Sequence, residues 1–155
     1  MSPPHISDPQ YALIRDPHPE ALASLDALSF LHPWSAQEFS RLLANQAMGA
    51  WLLRASGQDV AYLCFQSTGD EGEIHRIAVI PSERRKGLAR LLLKAFRAWM
   101  LEQGASRILL EVRAGNQAAL RLYSELGYTL LTRRRDYYLD PVEDALVMET
   151  NLTRD

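Results

Sequence analysis

The most informative segment of the chain is Ile77-Ala78-Val79-Ile80-Pro81-Ser82-Glu83-Arg84-Arg85-Lys86-Gly87-Leu88-Ala89-Arg90, in which an apolar run leads into a basic loop. Pro81 ends the apolar run as a strand, because proline has no N–H to donate to a strand ladder. Apolar residues then recur at helical spacing, and Gly104 is a typical helix stop. We therefore predict a strand over residues 73–80 and a long helix that opens over residues 84–90.

The segments on either side of this loop indicate more of the fold. Residues 108–112 form a compact apolar run, so the sequence predicts a strand–helix–strand unit with parallel strands and a right-handed crossover. Earlier in the chain, Ser35 and Glu38 form a capping box, in which each side chain bonds to the backbone N–H of the other residue. Trp34 precedes this cap as part of a hydrophobic staple, so we predict a second helix that begins at Ser35.

Turn residues and glycine stops define the remaining elements. Ser56-Gly57-Gln58 separates two apolar runs and predicts a hairpin, while Asn116 and Gly127 are a typical start and stop of a further helix. The predicted order is β-α-α-β-β-β-α-β-α-β-β, an α+β (mixed α/β) fold with its sheet covered by helices. The predicted strands are residues 11–14, 50–54, 60–66, 73–80, 108–112, 128–134 and 145–150.

Composition narrows the class of protein. The 155 residues suffice for one domain, and a hydrophobic fraction of 47% supports a real core. Lys plus Arg is 17 against 19 for Asp plus Glu, which disfavours a nucleic-acid partner. The single cysteine, Cys64, excludes an intrachain disulfide and a cysteine-based zinc site, and we expect it to be a small core residue. Neither a secretory signal nor a membrane span is visible, so we expect a flexible leader over residues 1–10 and a cytoplasmic protein.

The basic loop has the features of a phosphate site. The first amides of a helix lack internal partners, and the helix dipole is positive at that end. Gly87 and Ala89 are small enough to let a ligand approach the backbone, and Arg84, Arg85 and Lys86 flank them with positive charge. The P-loop and dinucleotide-binding patterns are both absent. On these features alone, a solvated basic helix start remains an equal alternative.

Two motifs connect the chain to a known family. Arg84-x-x-Gly87-x-Ala89 resembles the coenzyme-A signature Q/R-x-x-G-x-G/A of the GNAT superfamily of N-acetyltransferases. The run from Asn116 to Tyr128 resembles the N-x-x-A-x-x-L-Y-x-x-x-G-[FY] block of the same superfamily. The resemblance implies a GNAT-like fold over residues 11–152, with a central mixed, mostly antiparallel sheet whose parallel strand pair splays around the acetyl-CoA site. It also implies acetyl-CoA as co-substrate and no metal.

Further stretches resemble one branch of that superfamily, the RimI-type ribosomal-protein-alanine acetyltransferases. The matching stretches are Pro33-Trp34-Ser35 and residues 110–116, 134–138 and 143–148. The resemblance implies transfer of the acetyl group to the N-terminal alanine of a small-subunit ribosomal protein, by a monomer or weak dimer without a membrane partner. Asp136 departs from the usual asparagine, which leaves acceptor choice less defined than reaction type. Ile80, Ala89 and Gly115 also depart from commoner residues, at positions where we expect coenzyme binding to be spared.

The resemblance assigns the coenzyme site. A backbone amide of the strand Ile77-Ala78-Val79 would donate to the thioester carbonyl oxygen. The phosphates would lie on the amides of residues 85–90, and Asn116 would bind near the pantetheine arm. The cofactor-binding residues implied in this way are Ile77, Ala78, Val79, Arg84, Arg85, Lys86, Gly87, Leu88, Ala89, Arg90 and Asn116.

The resemblance also assigns the catalytic residues. Glu111 is the implied general base, in an apolar strand where a carboxylate is costly unless it is used or paired. Tyr123 is the implied general acid for the departing thiolate, on the helical face of Asn116. Without the resemblance, Glu111 would be interpreted as an exposed or ion-paired strand residue, with Arg113 or Arg76 as the candidate partner. Without the resemblance, Tyr123 would likewise be interpreted as an aromatic residue of the core.

Acceptor-binding residues are the least specific assignment. Trp34, Tyr137 and Tyr138 are expected to line the acceptor groove, with staple and core packing as the alternatives, and His75 could touch the acceptor. Two other functions remain open: an enzyme of the same superfamily that acts on a small amine or on lysine, and a non-catalytic acyl-CoA sensor.

Overall fold

The computed structural model describes residues 4–153, so positions 1–3 of the predicted leader lie outside it. Within the leader, Ile6 packs against the core. The helices are α1 (Pro19–Ser29), α2 (Ala36–Leu43), α3 (Leu88–Glu102) and α4 (Gln117–Glu125), with a 3₁₀ turn at Pro81–Glu83. The strands are β1 (Ala12–Arg15), β2 (Met48–Ala55), β3 (Gln58–Ser67), β4 (Glu71–Val79), β5 (Arg107–Arg113), β6 (Thr129–Leu139) and β7 (Val142–Asn151).

The seven strands form one sheet in the order β1-β2-β3-β4-β5-β7-β6. The pair β4–β5 is parallel, and the other neighbouring pairs of the described strands are antiparallel. The predicted mixed, mostly antiparallel sheet is therefore confirmed, as is the predicted order of helices and strands. Strand β7 separates β5 from β6, which places the last hairpin at the sheet edge.

The parallel pair separates part of the way along its length. Pairing between β4 and β5 runs from Glu71 with Arg107 to Ile74 with Leu110 and stops there. Both strands continue beyond that point, β4 to Val79 and β5 to Arg113. A gap therefore opens through the sheet, as the resemblance to the GNAT fold implied.

Local chemistry explains where the elements begin. The Ser35 side chain accepts from the backbone N–H of Glu38 at 3.1 Å, and the Glu38 carboxylate accepts from the Ser35 N–H at 3.0 Å, so the predicted capping box is confirmed. Ser56 and Gly57 have φ of 51° and 79°, the left-handed pair that suits the tight turn of the β2–β3 hairpin.

Most predicted strand ends differ slightly from the observed ones, and two boundaries differ by the largest margins. Helix α3 begins at Leu88, because Arg85 and Gly87 have φ of 67° and 78° and keep residues 84–87 outside the helix. Strand β6 extends to Leu139, five residues beyond its predicted end at Arg134. A bulge between Arg134 and Tyr138 interrupts the pairing with β7, which hides the strand from a simple alternation pattern.

The core lies on both faces of the sheet. On one face, α3 contributes to an aromatic cluster in which the Phe65 and Phe96 ring centroids are 4.8 Å apart and those of Trp51 and Trp99 are 5.3 Å apart. Aromatic pairs of this kind stabilise the fold by about 0.5–1.5 kcal/mol beyond the area they bury. On the other face, α1 and α2 bury Leu22, Leu25, Phe39 and Tyr62. Both layers hold the splayed strands in place.

Candidate active site

The gap between β4 and β5 opens into a cavity of about 700 Å³. Pockets of this size accommodate substantial organic ligands. Its walls come from the two splayed strands, the α1–α2 loop, the start of α3, helix α4 and the β6–β7 hairpin. The residues that line it are Ser29, Phe30, Leu31, His32, Ile74, His75, Arg76, Ile77, Ala78, Val79, Arg84, Ala89, Leu110, Glu111, Val112, Arg113, Asn116, Ala118, Ala119, Leu122, Tyr123, Tyr138, Asp140 and Pro141.

The free edge of β4 carries backbone donors into this cavity. The N–H of Ile80 bonds to the Val60 carbonyl on the β3 side at 3.0 Å. Because peptide groups alternate sides along a strand, the N–H groups of Ile77 and Val79 point away from β3 towards the gap. The Val79 carbonyl accepts from Arg84 Nε at 3.0 Å, which agrees with that direction. The strand therefore presents amides suited to polarising a carbonyl oxygen.

The start of α3 provides a second group of donors. The first bond within the helix runs from the Leu91 N–H to the Gly87 carbonyl, which leaves the amides of residues 88–90 without helical partners. Among residues 4–153, apart from Gly87 and its two chain neighbours, no heavy atom lies within 4 Å of where a Cβ on Gly87 would stand. The backbone is open to close approach by an anion at this point, as the phosphates of coenzyme A require. The residues present thus fit the coenzyme.

The side chains of the basic loop have varied surroundings. Arg84 and Ala89 line the cavity, whereas Leu88 is buried in the core. Lys86 Nζ forms an ion pair with Glu83 at 2.6 Å, and Arg90 pairs with Glu125 of α4. Arg85, Lys86 and Gly87 are exposed.

Glu111 lies on β5 beside the gap, with its side chain 25% exposed. Its carboxylate pairs with Arg134 Nη1 at 3.3 Å across β7. The partners considered from sequence, Arg113 and Arg76, are engaged elsewhere: Arg113 with Glu143 and Arg76 with Asp26. Neither candidate pairing is therefore formed: Asp26 of α1 takes Arg76, Glu143 of β7 takes Arg113, and Arg134 of β6 reaches Glu111 instead.

Asn116 and Tyr123 face the cavity from α4. The Asn116 Oδ1 atom accepts from the Ala119 N–H at 3.2 Å as the helix cap, which confirms the predicted helix start and leaves its NH₂ group available. Tyr123 is 6% exposed, and burial, followed by the nearby Tyr138, raises its pKa to about 12. Its hydroxyl makes no hydrogen bond with any residue among 4–153. The phenol is therefore protonated at neutral pH and available as a donor.

The residues predicted to line the acceptor groove occupy three environments. Tyr138 lines the cavity, with the Arg113 guanidinium 4.1 Å from its ring centroid. Tyr137 is 46% exposed at the rim and packs edge-on against Tyr138. Trp34 packs against Phe39 with its ring tilted by 56° and is not one of the residues that line the cavity. His75 lines the cavity and lies 3.3 Å from Gln66 Oε1.

Cys64 lies in the core, as the sequence predicted. Its side chain is fully buried in β3, and burial raises the pKa of the thiol to about 12. A thiol in this environment is a poor nucleophile, because the reactive form is the thiolate.

The sequence analysis missed one buried cluster next to the cavity. Asp26 of α1 is fully buried and accepts from Arg76 Nε at 3.0 Å, Arg76 Nη2 at 2.7 Å, the Trp34 N–H at 2.7 Å and the Tyr62 hydroxyl. A signal was present, since Asp26 follows Leu22 and Leu25 on a helix whose other buried residues are apolar. A buried carboxylate requires such partners.

Two further findings concern ions and membranes. Among residues 4–153, no group of three or more histidine, cysteine or carboxylate side chains is arranged to hold a metal ion. No helix in the described part of the chain has the length and apolar character needed to cross a membrane.

Comparison with known proteins places this site in a family. The sequence profile of the acetyltransferase (GNAT) family matches residues 19–128. The chain is 36% identical over 118 residues to the ribosomal protein bS18-alanine N-acetyltransferase of Escherichia coli K12, an alignment that spans 75% of this chain and 79% of that protein.

Solved structures agree with the sequence comparison. The crystal structure of the ribosomal-protein-S18-alanine N-acetyltransferase from Escherichia coli superposes with a TM-score of 0.86 at 30% identity, covering 94% of this chain and 96% of that one. A GNAT family acetyltransferase from Elizabethkingia anophelis with acetyl-CoA bound shares the fold, with a TM-score of 0.75 at 16% identity, covering 94% and 100%. The chain therefore belongs to the acetyltransferase (GNAT) family and is an acetyl-CoA-dependent N-acetyltransferase.

Proposed function

We propose that this enzyme acetylates the α-amine of a protein, and specifically the N-terminal alanine of a small-subunit ribosomal protein. The observation that carries the proposal is the cavity at the β4–β5 splay, where Glu111 and Tyr123 both line one space beside free backbone donors. The relative that is 36% identical and acts on ribosomal protein bS18 supports this choice of acceptor.

The coenzyme would lie along the start of α3 and the edge of β4. Amides of residues 88–90 would bind its phosphates, with Arg84, Arg85 and Lys86 supplying positive charge nearby. The free NH₂ group of Asn116 would donate to the pantetheine arm. The cationic side chain of Arg90 already pairs with Glu125, so its backbone amide is the group we assign to phosphate binding.

The transfer would be direct, with no acyl-enzyme. The acceptor nitrogen forms a bond to the thioester carbonyl carbon while the amides of Ile77 and Val79 stabilise the negative charge that develops on the carbonyl oxygen. Glu111, directly or through a water, takes the proton that the amine loses. As the carbon–sulfur bond breaks, Tyr123 donates its hydroxyl proton to the departing thiolate.

The proposed acceptor, an α-amine, needs only a weak general base. A protein α-amine has a reference pKa of about 8, so a sizeable fraction is neutral near pH 7, whereas lysine at about 10.4 is almost fully charged. Glu111 is a partly exposed carboxylate with one ion-pair partner among the described residues. Such a base suits deprotonation of an α-amine better than deprotonation of a lysine ammonium.

We also place the enzyme in the cytoplasm, where ribosomal proteins are made, and assign the domain to residues 11–152. Both assignments follow from the proposed acceptor and from the span of the sheet, whose first strand begins at Ala12 and whose last ends at Asn151.

The proposal is tested by acetylation of defined peptides. Purified enzyme and acetyl-CoA are incubated with a peptide that copies the N-terminus of ribosomal protein bS18 and begins with alanine. A lysine-containing peptide with a blocked N-terminus runs in parallel, and mass spectrometry locates the acetyl group. We expect one acetyl group on the free α-amine and none on lysine.

Other outcomes would contradict the proposal in different ways. Transfer to lysine, or to a small amine such as spermidine in place of the alanine peptide, would indicate another acceptor within the same family. Tight acetyl-CoA binding with no transfer to any amine would indicate an acyl-CoA sensor.

A further inference from the structure

The buried cluster around Asp26 holds one cavity residue, Arg76, in a fixed orientation. Two of the guanidinium nitrogens, Nε and Nη2, bind the two oxygens of Asp26 at 3.0 and 2.7 Å. The guanidinium carbon also lies 4.0 Å from the Phe30 ring centroid and 4.5 Å from that of Trp34. Bidentate pairing and ring stacking together fix the plane of the guanidinium.

This arrangement leaves donors available at the cavity. The Nη1 atom of Arg76 donates to no residue among 4–153, although the side chain is only 18% exposed and lines the cavity. A guanidinium carries five N–H donors, and Asp26 occupies only two of them. The positive charge of the Arg76 guanidinium is already balanced by the carboxylate of Asp26, which is fully buried. The remaining donors therefore suit a neutral carbonyl oxygen better than a second carboxylate.

The position of Arg76 relates these donors to the reaction. Arg76 directly precedes Ile77, whose amide faces the gap, and Glu111 lies on the opposite strand of the splay. In an α-amine acceptor, the carbon that bears the amine is bonded directly to a carbonyl carbon. In a lysine side chain or a polyamine, only methylene groups flank the reacting amine. A donor next to the reaction site can thus distinguish these acceptor classes.

We infer that Arg76 is a specificity-determining residue that donates a hydrogen bond to the first carbonyl of the acceptor polypeptide. This inference rests on the proposed function and goes beyond it, because it names the group that separates an α-amine from other amines. A site built to hydrogen-bond a substrate group discriminates strongly against analogues that lack it. Trp34 and Asp26 act through Arg76 as positioning residues, since they hold the guanidinium without lining the cavity.

The experiment pairs a change in the enzyme with a change in the substrate. The enzyme variant is Arg76→Lys, which keeps a positive charge beside Asp26 but removes the guanidinium fork. The substrate variant is the alanine peptide with its first peptide bond replaced by an (E)-alkene, which removes the carbonyl and retains the amine. We expect Arg76→Lys to lower kcat/KM for the ordinary peptide about tenfold and to leave kcat/KM for the alkene peptide unchanged.

A matched control separates binding from structure. Tyr62→Phe removes another hydrogen bond to Asp26 from a residue that is fully buried and does not line the cavity. We expect it to lower the thermal midpoint to a similar extent as Arg76→Lys while changing kcat/KM equally for both peptides. The apparent KM for acetyl-CoA should be the same in both variants and the wild type.

The outcomes are distinguishable. Equal losses on both peptides for Arg76→Lys would overturn the inference and leave Arg76 as a structural clamp, with the proposed function intact. No transfer by the wild-type enzyme to the alanine peptide would overturn the proposed function and this inference with it.

Discussion

Asp26 and Glu111 are both carboxylates in apolar segments, yet their partners suit them to different roles. Asp26 is fully buried, and its oxygens accept hydrogen bonds from Arg76, Trp34 and Tyr62. A carboxylate saturated in this way has little capacity left to accept a proton from a substrate. Glu111 is partly exposed and has a single ion-pair partner in the described part of the chain, so one oxygen remains available to the cavity. Residue type alone does not separate them; the number of donors does.

Tyr123 is expected to act as an acid, and its replacement tests that role. Tyr123→Phe should lower kcat about 100-fold, because general acid catalysis typically contributes at least this much. The phenol is protonated at every pH below its pKa of about 12. The wild-type kcat should therefore show no loss from this group as the pH rises to about 10, the ordinary pKa of tyrosine. Steady-state kinetics across this pH range provide the measurement.

Tyr128→Phe is the matched control for this variant. Its ring centroid lies 5.7 Å from that of Tyr123, and it is similarly buried but absent from the cavity wall. An equal loss of kcat in both variants would indicate a packing effect and would remove Tyr123 from the mechanism.

At the scale of elements, the loop between β4 and α3 combines two functions. Its backbone turns sharply, because Arg85 and Gly87 adopt left-handed conformations, and this turn delays the helix until Leu88. The same turn leaves the amides of residues 88–90 uncovered at the helix start. Arg84 donates a hydrogen bond to the Val79 carbonyl, so this loop and the edge of β4 are held together.

Two glycines provide a controlled test of this loop. Gly87 and Gly57 have φ of 78° and 79°, and at both the position that a Cβ would take is more than 4 Å from the other described residues, chain neighbours aside. Replacement of either by alanine should therefore cost about 1–2 kcal/mol of stability from backbone strain alone. Only Gly87→Ala should also raise the Kd for acetyl-CoA, because its Cβ would stand where we propose that the phosphates bind. Thermal unfolding and calorimetric titration with acetyl-CoA measure the two effects.

A Kd for acetyl-CoA that rises equally in both variants would show that strain, and not steric blocking, weakens binding. An unchanged Kd in Gly87→Ala would remove this loop from the coenzyme site.

At the scale of the whole molecule, the packed sheet fixes the positions of the strands that form the cavity. Helices α1 and α2 on one face and α3 on the other bury the strands on both sides. The last hairpin inserts β7 beside β5, which brings Tyr138 of β6 to the cavity and Arg134 of β6 to Glu111. The candidate active site is therefore assembled from segments that are distant in sequence.

Direct transfer makes a prediction about the thiol in the core. Cys64→Ala should leave kcat unchanged and lower stability by about 1 kcal/mol, since it deletes one buried atom. Burial raises the pKa of the thiol to about 12, so native enzyme should react with a thiol reagent only after unfolding. Activity measurements and thiol titration with and without denaturant test both points. Loss of kcat in a folded Cys64→Ala enzyme, together with an acetylated Cys64 in the native enzyme by mass spectrometry, would contradict direct transfer.

The sequence by itself determined the order of the elements, the capping box at Ser35 and the two motifs that carry the family. These features depend on short-range chemistry: helical periodicity, caps and turns involve residues only a few positions apart. The extent of β6 escaped prediction because its bulge breaks the alternation on which a strand prediction depends.

Only the tertiary structure decided which side chains meet. The pairing of Glu111 with Arg134 follows from the insertion of β7 between β5 and β6, a choice of strand order that no local pattern encodes. The cluster of Asp26, Tyr62 and Arg76 joins α1, β3 and β4, so none of its members has a sequence neighbour that reveals its partner. Contacts between distant residues depend on how the whole chain packs. The sequence therefore indicated which residue types could take part in the reaction, and only the tertiary structure showed which of them lie together.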